Sequence, residues 1–120
     1  MYRLKFTAMN LITCYDLKEK LERGDENLRL INALEPPKFR AMHIPGSLNL
    51  CSREEVISAA FNKQDQIVVY CTDSCCNKSI TLYYLLESLG FPNISRYAGG
   101  LTEWETMGFP LVGDMVEKGS

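Results

Sequence analysis

Residues 66–71 read QIVVYC, an almost unbroken run of β-branched and aromatic side chains. A strand with one wet face alternates apolar and polar residues. An uninterrupted run is expected of a strand covered on both faces, which points to a parallel sheet sandwiched by helices. The neighbouring segments agree. From Thr13 or Tyr15 to Gly24, Leu17 and Leu21 recur among charged residues, as in a short amphipathic helix stopped by glycine. LRLINAL (28–34) is a second buried strand. Pro36 and Pro37 permit a helix start after it, with a short helical turn through Phe39 to Ala41. HIPGSLNLC turns at Pro45-Gly46 into another short strand, and SREEVISAAF opens with Ser52 and Glu55 in capping-box spacing. SITLYYLLESLGF predicts a helix with Ser79 as its N-cap and a core stripe of Leu82, Leu85, Leu86 and Leu89. NISRY predicts a strand, and LTEWETMGFP a last helix that buries Trp104. Alternating strands and helices imply an α/β fold with a mainly parallel central sheet of about five strands and helices on both faces. Its binding crevice lies beyond the strands' carboxyl ends.

The 120 residues, 46% of them hydrophobic, suffice for one core and not for two ordinary domains, so a single domain 1–120 is expected. Its core spans about 12–112, with a polar C-terminal tail at 113–120. Thirteen Lys and Arg against fifteen Asp and Glu give a net charge of −2 with no clustered basic face, which argues against nucleic acid as a partner. No apolar run approaches a membrane span, and MYRLKFTAMN lacks a secretory apolar stretch. A cytoplasmic protein without a membrane partner is the expectation.

Cysteine usage is the informative part of the composition. Five is an odd number without the spacing of a disulfide framework, so these read as thiols in a reducing compartment. Cys14 and Cys51 end short apolar runs and read as small hydrophobes. Cys71, Cys75 and Cys76 fall within six residues directly behind the QIVVY strand. A thiol between a strand end and a helix start meets backbone N–H groups and the positive end of the helix dipole. Both favour the thiolate, with pKa values of roughly 3.5 to 7.5 instead of about 8.5. Cys71 is therefore the expected nucleophile. The polar loop of Thr72, Asp73, Ser74, Asn77, Lys78 and Ser79 could curl its amides round the sulfur as an anion-binding nest. Lys78 would add positive charge, and an inward Asp73 would repel anions.

These residues resemble the rhodanese-like sulfurtransferase family. IVVYC, a loop and a helix ending in LGF precede RYAGGLTEWETMGFP, in which Gly99, Gly100, Trp104, Gly108 and Pro110 match the family's GG-x-x-x-W-x-x-x-G-x-P signature. Upstream, His43, Ile44, Pro45 and Gly46 match a second signature, and the resemblance covers roughly residues 12–112. Three positions depart from the family pattern: Asn32 replaces the usual Asp, Leu34 the usual Arg and Met42 the usual Gly. The loop is about two residues longer than the common one and lacks its arginine, which offers less to a dianion such as thiosulfate. Cys71, Cys76 and Ser79 fit a subgroup pattern C-x4-C-x-x-S. The resemblance implies a single rhodanese-like domain in which Cys71 becomes a persulfide, with no cofactor. Its partners would be a small sulfur donor such as thiosulfate or polysulfide, and a thiol, cyanide or protein acceptor. Cys76 or Cys75 becomes a candidate resolving or alternative nucleophile.

Competing readings fare less well on the residues. Cysteine-based phosphoryl transfer needs an arginine six residues after the nucleophile, and counting from Cys71, Cys75 and Cys76 gives Asn77, Thr81 and Leu82. A zinc site lacks a second paired cluster beside C-x3-C-C and the lone His43, which reads as a backbone hydrogen-bonding residue; no metal is expected. Tyr83, Tyr84 and Tyr97 read as half-buried surface aromatics. The plain alternative for Cys71 is a buried strand-end hydrophobe, and for Cys75 and Cys76 two exposed thiols without a task. At the level of function the alternative is a catalytically weak rhodanese-like binding or redox-sensing module.

Overall fold

The computed structural model describes residues 9–116. Five helices alternate with four strands: α1 (Cys14–Arg23), β1 (Leu28–Asn32), α2 (Pro36–Ala41), β2 (Leu48–Asn49), α3 (Arg53–Ala59), β3 (Gln66–Tyr70), α4 (Lys78–Ser88), β4 (Ile94–Tyr97) and α5 (Gly100–Thr106). All strand pairs are parallel, in the order β2-β1-β3-β4. The expected sheet of about five strands is thus a sheet of four. Residues 10–12 run along the free edge of β4, where the Ile12 amide donates to the Arg96 carbonyl and the Arg96 amide to the Asn10 carbonyl. They cannot extend further as a strand, because Thr13 already caps α1 by accepting the Asp16 amide on its hydroxyl.

Helix boundaries follow local chemistry. Gly24 closes α1 in the left-handed conformation that glycine adopts without penalty. Ser52 caps α3 through the Glu55 amide, while the Glu55 carboxylate reaches back to the Cys51 amide one residue before the cap. α2 begins on its two prolines, which need no donor there. The α4 start differs from expectation. Asn77 is the N-cap residue, and Ser79 lies inside the first turn, buried.

Side chains of successive strand residues point to opposite faces, so the sheet has two cores. On one face Ile31, Ile67, Val69 and Ile94 meet Val56 of α3 and Leu82, Tyr83 and Leu86 of α4. On the other Leu30, Val68, Tyr70 and Tyr97 meet Leu17 of α1 and Leu101 and Trp104 of α5. Leu34 is buried in the second core. Tyr83 and Tyr97, expected at the surface, are interior because each hydroxyl finds a partner: the Asn10 amide donates to Tyr83, and Tyr97 donates to Glu103. Only Tyr84 of the three is exposed. Cys14 is buried as expected, whereas Cys51 is exposed.

The chain beyond α5 folds back over α2. His43 forms an antiparallel bridge with Val112, and the Asp114 and Met115 amides donate to the carbonyls of Arg40 and Ala41. His43 itself bonds the Phe39 carbonyl through Nδ1 and stacks on the Phe39 ring, the backbone-bonding task expected of it. The last four residues of the polar tail lie outside the described residues.

Candidate active site

β1 and β3 are neighbours whose onward connections leave in opposite directions, which opens a crevice at their carboxyl ends. Cys71 is the first residue past β3. Its carbonyl accepts the Leu101 amide at 3.0 Å, and the Thr72 carbonyl accepts the Thr102 amide at 2.9 Å, so the first turn of α5 pins the start of the loop. Asp73 then organises the turn. Its carboxylate accepts the Cys75 amide at 3.0 Å and its carbonyl the Cys76 amide at 3.2 Å. That arrangement spends the Asp73 charge on its own loop. Thr72, Ser74, Asn77 and Lys78 are exposed, and the Asn77 carbonyl accepts the Thr81 amide.

The Cys71 sulfur lies 3.2 Å from the Ser79 hydroxyl and 3.7 Å from the Cys76 carbonyl, with the Cys76 thiol and the Ser79 amide near enough to act on its ionisation. Cys71 is 1% exposed, Cys76 is half-buried and Cys75 is exposed. The expectation of a readily ionised Cys71 inside a ring of amides is therefore corrected. Burial pushes the Cys71 thiol above its ordinary value, and the Cys76 sulfur beside it adds to the rise; the Ser79 hydroxyl and amide oppose both. Burial also presses on Cys76. There the Cys71 thiol and the backbone amides of Lys78 and Thr72 outweigh it and draw Cys76 below the ordinary value. The backbone amides of Lys78 and Thr72 thus favour the Cys76 thiolate and that of Ser79 the Cys71 thiolate, so the helix start acts on both sulfurs.

Arg96 is the residue that sequence reasoning missed. It enters from β4, is 6% exposed, and donates from Nε to the Ser79 hydroxyl at 2.8 Å and from Nη2 to the Ser74 carbonyl at 3.3 Å. The signal was available. Arg96 stands two residues after Ile94, so it shares the face that α4 covers, beside the apolar Ile31, Ile67, Val69 and Ile94. A loop without its own arginine is served by one from beneath. Beside the loop, Lys78 and Asn77 join Cys51, Arg53 and Glu35 in lining an open cavity of about 520 Å³. Among the described residues no three His, Cys, Asp or Glu side chains converge as a metal-binding group, and no helix is long and apolar enough to cross a membrane.

The sequence model of the Rhodanese-like domain family matches residues 13–107. The chain belongs to that family. A Schizosaccharomyces pombe protein named provisionally as a mitochondrial thiosulfate sulfurtransferase is 30% identical over 117 residues, which span 82% of this chain and 81% of that protein. The Saccharomyces cerevisiae thiosulfate:glutathione sulfurtransferase is 25% identical over 107 residues, covering 78% and 76%. The solved rhodanese-like domain from Anabaena has the same fold, with a TM-score of 0.75 at 23% identity over 92% of this chain and 84% of that one.

In this rhodanese-like domain the downstream signature acquires physical meaning. Gly100 has φ +62°, and a Cβ there would sit 2.5 Å from the Cys71 carbonyl oxygen and 2.6 Å from that of Thr72. Trp104 fills the core and donates from Nε1 to the Pro110 carbonyl at 2.8 Å. The signature is thus a clamp on the back of the cysteine loop. The thiol order also follows. Near pH 6.5, below the ~8.5 of a free cysteine, Cys76 should outpace Cys51 in reaction with iodoacetamide despite being the more enclosed, since it retains thiolate. At a pH high enough to ionise both thiols the order should reverse, because Cys51 is the more exposed. Peptide mass spectrometry over a pH series measures this, and an order independent of pH would contradict the assignment.

Proposed function

We propose that this domain is a sulfurtransferase that carries a sulfane sulfur on Cys71, from a donor such as thiosulfate or polysulfide to a thiol, cyanide or protein acceptor. The observation that carries the reading is the Cys71 sulfur at the carboxyl end of a central strand, against the Ser79 hydroxyl and amide and the Cys76 sulfur. The sulfurtransferase names of the two yeast relatives support it. Cys76, the more readily ionised of the pair, is the base that takes the Cys71 proton. The Cys71 thiolate then attacks the outer sulfur of thiosulfate. A new S–S bond forms, the old one breaks, and sulfite departs with its electron pair. An acceptor thiolate attacks the terminal sulfur of the Cys71 persulfide and regenerates the Cys71 thiolate. In the absence of acceptor, Cys76 attacks Cys71 Sγ, which closes a disulfide and expels the outer sulfur as sulfide. Because Cys71 is enclosed, the donor reaches it when the Asp73–Cys76 turn lifts, which releases the two hydrogen bonds to Asp73 and that from Arg96 to the Ser74 carbonyl. The C-x4-C subgroup assignment and Cys75 as a spare thiol belong to the same reading, as does a reducing compartment.

The burial of Cys71 beside Cys76 favours one second reading, a redox-sensing dithiol without turnover. Intact-protein mass spectrometry separates the two. After incubation with thiosulfate or polysulfide, a gain of one sulfur atom on Cys71 that cyanide removes is expected of the transferase. Because closure by Cys76 also removes two hydrogens, the deciding measurement is on Cys76→Ser, where no sulfur gained under any donor would overturn the transferase in favour of the sensor.

A further inference from the structure

Arg96 is buried, and among the described residues no carboxylate lies within ion-pair distance of it. A guanidinium removed from water without a counter-ion is expensive, and such groups persist where they answer to a charge that is present for part of the time. The side-chain partners recorded for Arg96 are the Ser74 carbonyl and the Ser79 hydroxyl, and that hydroxyl is in turn 3.2 Å from Cys71 Sγ. Guanidinium nitrogens only donate. A serine hydroxyl has one hydrogen to give. We propose that Arg96 is a positioning residue for the Cys71 sulfur: its Nε–H holds the Ser79 oxygen against the sulfur through one acceptor position, and the hydroxyl's own hydrogen turns to the sulfur once Cys71 has lost its proton. This rests on the reading of Cys71 as the sulfur carrier.

The consequence is a donor group already held beside the place where negative charge appears, on the thiolate and again on the persulfide. Only the hydroxyl hydrogen has to rotate at the moment of reaction, since the oxygen is already in place. The backbone of Arg96 suits such a role, being hydrogen-bonded on one side to residues 10–12 and paired on the other with Val69 of β3. The second donor, Nη2, ties the same guanidinium to the Ser74 carbonyl, so the arginine registers the loop and the helix start against one rigid strand.

The test reads the pH dependence of Cys71 alkylation by iodoacetamide, followed on the Cys71 peptide by mass spectrometry with no sulfur donor present. Its outcome is therefore separate from whether the protein transfers sulfur. A hydrogen bond to a charged group is worth enough that Ser79→Ala should move the midpoint upward by about one pH unit, a tenfold slower reaction below it. Arg96→Met should do the same, and Arg96→Lys, which keeps the charge but loses the fork, should fall between Arg96→Met and the native protein. Because both residues act through one hydroxyl, Ser79→Ala combined with Arg96→Met should shift no further than either alone. If the two shifts add, or if Arg96→Met leaves the midpoint where it is, the relay is wrong. Should Arg96→Met fail to fold by circular dichroism, the same cycle with Arg96→Lys decides by the same criterion.

Discussion

Cys71→Ser is expected to reduce sulfur transfer by at least about a thousandfold, to the level of the uncatalysed exchange, while leaving the fold intact. The oxygen is smaller than sulfur and keeps the bond to the Ser79 hydroxyl, so packing is little disturbed. It cannot form a persulfide. Cys76→Ser separates the roles within the pair. The Cys76 sulfur contributes to the upward shift at Cys71, so its removal leaves burial as the chief opponent of the Cys71 thiolate. The Cys71 profile in Cys76→Ser should move to lower pH. Single-turnover loading from polysulfide should survive, and the sulfide-releasing closure to a disulfide should disappear. Stopped addition of donor with cyanide quench, read as thiocyanate formed, measures the first effect, and sulfide release without acceptor measures the second. A dead Cys76→Ser with an active Cys71→Ser would exchange the two assignments.

The fold was legible because its signals are local. A run such as IVVY, a serine followed three residues later by glutamate, or a glycine ending an amphipathic stretch each reports on its own few residues. The departures share a different character. Tyr83 and Tyr97 were misjudged because a buried tyrosine depends on a distant partner, Asn10 or Glu103, that composition does not reveal. Ser79 looks like a cap in sequence, yet Asn77 takes that place and the serine turns inward to sulfur. The position of Cys71 behind a central strand could be read from the chain. Which sulfur the amides would face could not, because that is set by how Asp73 folds the turn. Arg96 could be placed on the Ile94 face from its spacing, but its task could not be read, because its partners Ser79 and Ser74 are distant in sequence.

Gly100→Ala is the substitution expected to cost the most stability for the fewest atoms. Two effects coincide at that position. A side chain at φ +62° is strained by about 1–2 kcal/mol wherever it stands. Here the added carbon would also meet the Cys71 and Thr72 carbonyls well inside van der Waals contact, and both oxygens are already engaged by the Leu101 and Thr102 amides. Relief requires α5 to back away from the loop, which breaks those bonds and loosens Trp104 in the core. A total of about 3 kcal/mol or more follows, lowering Tm by roughly 10 °C for a domain of this size. Gly108→Ala is the internal control. Its φ is +75°, but nothing lies within 4 Å of the added carbon, so only the strain remains and Tm should fall by about a third to a half as much. Differential scanning calorimetry of the two variants measures the difference. Equal shifts would mean that the helix does not brace the cysteine loop. Because the two broken bonds end on Cys71 and its neighbour, Gly100→Ala should also speed Cys71 alkylation relative to Cys14, which is buried in the same core but away from the loop.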